Sequence, residues 1–143
     1  MARIITIGGG KGGTGKSMVA VNIAYALSRK HRVMLVDADV ESPIDHILLG
    51  AKRKRLHTVY GFIPRVNVDK CIGCGKCIDA CPEHALVGVK GQPPKLVDAL
   101  CEGCGICSLI CPANAIMKGD RILGYIYRGA RGDICLIQGE LIP

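Results

Sequence analysis

The chain has 143 residues, of which 49% are hydrophobic, with one Phe, four Tyr and no Trp. Its core therefore has to be aliphatic, and its length suits one ordinary domain or two very small ones. No apolar stretch reaches the ~18–20 residues of a membrane-spanning helix. Residues 1–7 run into a glycine-rich loop without the features of a secretory leader, so a cytoplasmic location is expected. In such a reducing compartment, nine cysteines argue for metal rather than disulfides. The formal net charge of +7 invites a nucleic-acid or anionic-surface reading, which the cysteines bear on below.

In chain order, Ile4-Ile5-Thr6-Ile7 is a short β-branched run of the kind found in buried parallel strands. Gly10-Lys11-Gly12-Gly13-Thr14-Gly15-Lys16-Ser17 then fits G-x-x-x-x-G-K-[ST]. Such glycines let backbone N–H groups curl around phosphate oxygens, with a helix N-terminus adding a favourable dipole. Lys16 is expected to reach the β- and γ-phosphates, and Ser17 to ligate Mg²⁺. Residues 17–30 carry Val19, Ala20, Ile23, Ala26 and Leu27 as a helical stripe, closing in basic Arg29-Lys30. Val33-Met34-Leu35-Val36 is a second buried-strand run, ending at Asp37. Strand, glycine loop, helix and strand over 1–50 make a partial α/β unit. Lys52-Arg53-Lys54-Arg55 opens a basic linker, 51–62, read as a solvated tether or a docking site for an acidic partner.

Eight of the nine cysteines fall within 63–118, where residues 71–85 and 101–115 repeat at an offset of 30. Cys71-x2-Cys74-x2-Cys77-x3-Cys81-Pro82 and Cys101-x2-Cys104-x2-Cys107-x3-Cys111-Pro112 have the spacing of a bacterial-type ferredoxin with two [4Fe–4S] clusters. A cubane needs four converging soft thiolates, and short x2 steps let one tight loop supply three. Gly73, Gly75, Gly103 and Gly105 permit backbone amides to approach sulfur. In such modules the fourth cysteine crosses over. Cys71, Cys74, Cys77 and Cys111 are thus expected at one cluster, and Cys101, Cys104, Cys107 and Cys81 at the other. Zinc also binds C-x2-C pairs, but it leaves the third cysteine of each run and the Cys-Pro endings unexplained. Two clusters of core charge about +2 on eight thiolates would lower the net charge to roughly +3, which weakens the nucleic-acid reading. Cys135, between Ile134 and Leu136, reads as a buried core thiol. Residues 119–143 read as a short β hairpin, with strands at 121–127 and 133–138 around a turn at 129–132, and with no helix to cover the sheet.

The early lysine in K-G-G-T-G-K-S, residues 11–17, and Asp37-Ala38-Asp39 resemble the deviant Walker A and D-x-D elements of the MinD, ParA and nitrogenase-iron-protein ATPases. Adding the two-cluster insert, the chain resembles MinD-superfamily ATPases that carry a ferredoxin domain. The resemblance implies an α/β plus α+β protein binding ATP, Mg²⁺ and two [4Fe–4S] clusters. It implies that Lys11 reaches a partner's nucleotide across a homodimer, and that Asp39 helps position the attacking water. A helix or turn cap is the other reading of Asp39. It implies a redox partner protein, and nucleotide turnover coupled to electron transfer or to handling of metal centres. Family members continue after the insert with a Walker B strand ending in Asp, which Leu96-Val97-Asp98 does not replace. Phosphate binding without hydrolysis is therefore expected of these residues, with a longer chain or a partner in trans supplying the remainder. A plain ferredoxin-type electron carrier bearing a P-loop remnant is the alternative.

Overall fold

The structure, a computed structural model, describes residues 3–142. Positions 1, 2 and 143, at the outer limits of the expected 1–50 and 119–143 segments, lie outside the described residues. The described residues fall into two compact units, one of residues 3–59 with 123–142 and one of residues 60–122. The chain passes from the first to the second within strand β2, Arg53–Val66, and returns within β5, Ile116–Arg131.

The first unit is a mixed α/β layer. Its sheet has the order β1-β6-β5-β2, with β1 at Val33–Asp37 and β6 at Ile134–Leu141. β1 runs parallel to β6, Val33 opposite Ile134 and Asp37 opposite Gln138, while β5 and β6 form an antiparallel hairpin. Helix α1, Lys16–Ser28, and the short α2, Asp45–Leu49, pack on the face that presents Leu35, Ile134 and Leu136. Val21, Ala24, Leu49 and Ala51 complete this aliphatic core. A mixed parallel and antiparallel sheet thus lies beneath α1, a two-layer α/β arrangement.

Several local expectations are corrected here. Residues 4–7 form no strand; Ile4 is 91% exposed and Ile5 59%, because no described strand lies alongside to complete a ladder. β1 is buried on one face only. Met34 and Val36 point to the side opposite the helices, alternating as a half-covered strand must. Cys135 lies opposite Met34 on that same side, so the thiol is half-buried rather than in the core. The hairpin turns at Gly132-Asp133, and residues 129–131 belong to β5. Helices α1 and α2 do cover one face of the sheet.

The basic run is the start of an ordered strand rather than a solvated tether. Tyr125 and Tyr127 face it from β5, with the Arg53 guanidinium 4.2 Å from the Tyr127 ring centroid and that of Arg55 4.8 Å from Tyr125. Stacking on aromatic faces and burial of aliphatic stems let arginines pack at a sheet edge that pattern alone reads as linker.

The second unit is small and internally symmetric. Helices α3, Lys76–Asp79, and α4, Ile106–Leu109, pack together, and strands β3, Leu86–Val87, and β4, Lys95–Leu96, pair antiparallel. Thirty residues relate β3 to the start of β5 and the end of β2 to β4, so each repeat has its own strand pair. Leu86 and Ile116 occupy equivalent buried positions, alongside Cys77 and Cys107.

Leu136 is fully buried at the centre of the first unit. Replacing it by Ala is expected to cost about 2–5 kcal/mol, read as a lower urea midpoint for that unit, because the cavity cannot close fully. An unchanged midpoint would mean the β1–β6 core is not formed as described.

Candidate functional site

Two hollows in the second unit gather the repeated cysteines. The first is lined by Cys71, Cys74, Cys77 and Cys111, the second by Cys81, Cys101, Cys104 and Cys107. Three thiols of each set come from one tight loop and the fourth from the other repeat. The cause is local. Each loop enters its helix through Gly73 and Gly75, or Gly103 and Gly105, with φ between 66° and 78°. A Cβ on Gly73 would stand 2.5 Å from the Gly91 carbonyl carbon, and one on Gly103 would stand 2.8 Å from the Phe62 oxygen. After each Cys-Pro pair the chain turns back through His84 or Asn114, both at positive φ. The Ala85 and Ala115 amides then donate to Cys81 Sγ and Cys111 Sγ at 3.3 Å.

Burial pushes the Cys77 thiol up, a backbone hydrogen bond opposes the shift, and the nearby Cys111, Cys71 and Cys74 raise it further. Cys107 is raised in the same way, by burial first and then, against a backbone hydrogen bond, by Cys104 and Cys101. Four thiols crowded in this manner ionise together only around compensating positive charge. Among the described residues, no three His, Cys, Asp or Glu side chains converge on a single metal ion. Soft sulfur donors around two cavities, with amides turned toward sulfur, match the donor set that an iron–sulfur cubane takes.

Sequence reading missed Arg121. Its guanidinium donates to the Cys101 carbonyl at 2.8 Å and pairs with the Asp98 carboxylate, holding the loop that leads into the second cysteine run. An Arg next to Asp120 in a strand of mixed character carries no sequence signal for this role.

In the first unit, Gly10 to Gly15 form an exposed loop entering α1 at Lys16, with Gly13 at φ 73° and Gly15 at φ 82°. Lys16 Nζ and Thr14 Oγ1 both donate to the Lys11 carbonyl, at 3.1 and 3.2 Å, so the loop closes on the lysine ammonium. The free amides of the first helical turn and that ammonium suit an anion. Lys11 and Gly12 are exposed, and Ser17 is half-buried.

Asp37 ends β1 in a buried polar network. Its Oδ1 accepts from the Asp39 amide at 3.1 Å, and its Oδ2 accepts from the Asp45 amide at 3.2 Å and from Gln138 Nε2 at 2.6 Å. Gln138 Oε1 in turn accepts from Arg53 Nη1 at 2.9 Å, and Arg53 forms a 2.8 Å ion pair with Glu140 that lacks hydrogen-bond alignment. Asp39 is exposed, and its carboxylate accepts from the Ser42 amide at 3.3 Å, closing a turn. Asp45 was not singled out from sequence. Its carboxyl is pushed up to about 6, chiefly by burial and then by the charge of Asp37, with the Ser17 hydroxyl opposing the shift and Asp39 adding to it. Gln138 was legible in principle, since it follows Ile134 and Leu136 on the buried phase of β6.

A glycine-rich phosphate loop feeding a helix under a mixed sheet defines a P-loop nucleotide-binding protein. The model of the CobQ/CobB/MinD/ParA nucleotide-binding domain matches residues 5–134, and the chain belongs to that family. Among curated relatives, an uncharacterized protein of Methanocaldococcus jannaschii is 41% identical over 138 residues, 96% of this chain and 48% of its own length. An iron–sulfur cluster carrier protein of Aquifex aeolicus is 48% identical over 68 residues, 47% of this chain and 18% of the relative. Subunit I of the F(420)H(2) dehydrogenase of Methanosarcina mazei is 37% identical over 78 residues, 53% of this chain and 37% of the relative. The chain thus spans about half or less of the length of these relatives.

Two outcomes follow from this geometry. Gly73→Ala puts a methyl group into the Gly91 backbone at a left-handed position. On the reading that each hollow takes up iron, the iron bound on reconstitution should fall well below that of the unaltered chain; full loading would contradict the close approach. Because the folded-state pKa of Asp45 lies above its ordinary value of 3.8, the folded chain binds the extra proton and loses stability as pH rises from about 4 to about 6. Asp45→Asn should therefore stabilise the first unit at pH 7.5 and much less at pH 4.5, in urea titrations. An equal effect at both pH values would contradict the assignment.

Proposed function

We propose that the chain is an iron–sulfur protein that holds two [4Fe–4S] clusters and binds ATP with Mg²⁺ at its phosphate loop. The observation that supports this most is the sorting of eight cysteines into two four-thiol hollows. Cys71, Cys74, Cys77 and Cys111 would hold one cluster, and Cys81, Cys101, Cys104 and Cys107 the other. The bound clusters would supply one-electron chemistry. The chain's own part is to present thiolates in fixed loops, exclude water with Leu86, Ile116 and Phe62, and direct amides at sulfur.

At the loop, backbone amides and Lys16 would bind the β- and γ-phosphates, and Ser17 would ligate Mg²⁺. Lys11 would serve a nucleotide across a homodimer, and Asp39 would orient water. Hydrolysis is expected only where a longer chain or a partner in trans supplies a Walker B strand. Nucleotide state would be coupled to electron transfer or to metal-centre handling, with a redox partner protein. The names of the Aquifex aeolicus and Methanosarcina mazei relatives support that direction. Among the described residues no helix is long and apolar enough to cross a membrane. The unpaired segment 4–7 just before the loop favours one alternative, a plain ferredoxin-type carrier with a non-hydrolysing loop.

Equilibrium dialysis of the metal-loaded chain with labelled Mg-ATP separates the two readings. Saturable binding, lowered at least tenfold by Lys16→Ala, is expected. No saturable binding would leave the plain carrier. Cluster potentials that are identical with and without saturating Mg-ATP would remove the coupling.

A further inference from the structure

The 30-residue repeat gives the two hollows matching backbones, so differences between them are differences of side chain. Three equivalent pairs stand out. Ile72 lines the first hollow where Glu102 lines the second, and Ala113 lines the first where Glu83 lines the second. Lys76 lines the first, and its repeat counterpart is Ile106. The lining of the first hollow thus carries one cation and no carboxylate; that of the second carries two carboxylates and no cation. Lys90 reinforces the contrast, since its stem passes within 3.3 Å of where a Cβ on Gly75 would stand, beside the first hollow. The guanidinium on the second side, Arg121 at the Cys101 carbonyl, is paired with the Asp98 carboxylate and so leaves that contrast in place.

We propose that these side chains make the two metal sites electronically unequal, so that a single electron rests in the first hollow, at Cys71, Cys74, Cys77 and Cys111. The inference builds on the two-cluster reading above. Reduction of a cluster adds one negative charge, and net charge near a cluster helps set its potential. Lys76, lining the first hollow, favours that added charge; Glu83 and Glu102, lining the second, oppose it. The electron comes from an added low-potential donor such as dithionite. It is exchanged between the two sites with no bond formed or broken and no proton moved. The second hollow is then the lower-potential station and passes its electron to the first.

The test is an anaerobic redox titration of the reconstituted full chain followed by electron paramagnetic resonance, with iron and sulfide counted on the same sample. Two one-electron waves are expected, with occupancy of the first site favoured at least tenfold at half-reduction, which is ~59 mV for a one-electron couple. Lys76→Gln should lower the upper wave alone, and Glu102→Gln should raise the lower wave alone. Raising the salt concentration should draw the waves together, because all three groups are exposed. Eight irons with a single unsplit wave, or charge variants that move the wrong wave, would overturn the inequality and leave the two-cluster reading intact. A count well below eight irons would overturn both.

Discussion

The second unit depends on one constraint: eight thiols are gathered by fours into two small hollows, where burial and mutual repulsion disfavour their ionised forms unless positive charge lies among them. Aliphatic packing there is thin, with Leu86, Ile116, Leu96 and Phe62 as its main apolar members, and Cys77 and Cys107 themselves buried among them. A unit of some sixty residues with so small a core is marginal without covalent or metal cross-links. Crossing the fourth cysteine of each run into the other hollow ties the repeats together. The glycines, the left-handed His84 and Asn114 and the amide–sulfur bonds all serve that gathering of sulfur.

The first unit rests on a different device. Asp37, at the end of β1, is held by Gln138 from β6 and by the amides of Asp39 and Asp45. Through Gln138 the network continues to Arg53 on β2, which also stacks on Tyr127 of β5. All four strands are thus linked through these hydrogen bonds and the Arg53–Tyr127 stack, in the unit whose core is Val21, Leu35, Ile134 and Leu136. Buried carboxylates crowded in this way are costly, as the raised pKa of Asp45 registers. Such a cost is commonly retained where a ligand's charge is to be managed.

Much of this was legible in the residues. The helix after the glycine loop, the strand ending at Asp37 and the grouping of cysteines by fours all follow from spacing and period. What was not legible has definite physical causes. A β-branched run such as 4–7 predicts a strand only if a neighbour lies alongside to pair with it, and pairing is not written in the run itself. Lys52 to Arg55 resembles a linker because charge marks solvent, yet β2 begins at Arg53, and Arg53 and Arg55 stack on Tyr127 and Tyr125. Cys135 has apolar neighbours, but alternation along β6 sends it to the face opposite Ile134 and Leu136. Arg121 and Asp45 act through contacts distant in sequence, which periodicity cannot register.

Mössbauer spectroscopy of the chain reconstituted with ⁵⁷Fe measures the central claim most directly. The account predicts eight irons per chain with the parameters of two tetrahedral-sulfur cubanes, falling on loss of either Cys81 or Cys111. A colourless protein that takes up two zinc ions and no sulfide under the same conditions would contradict it.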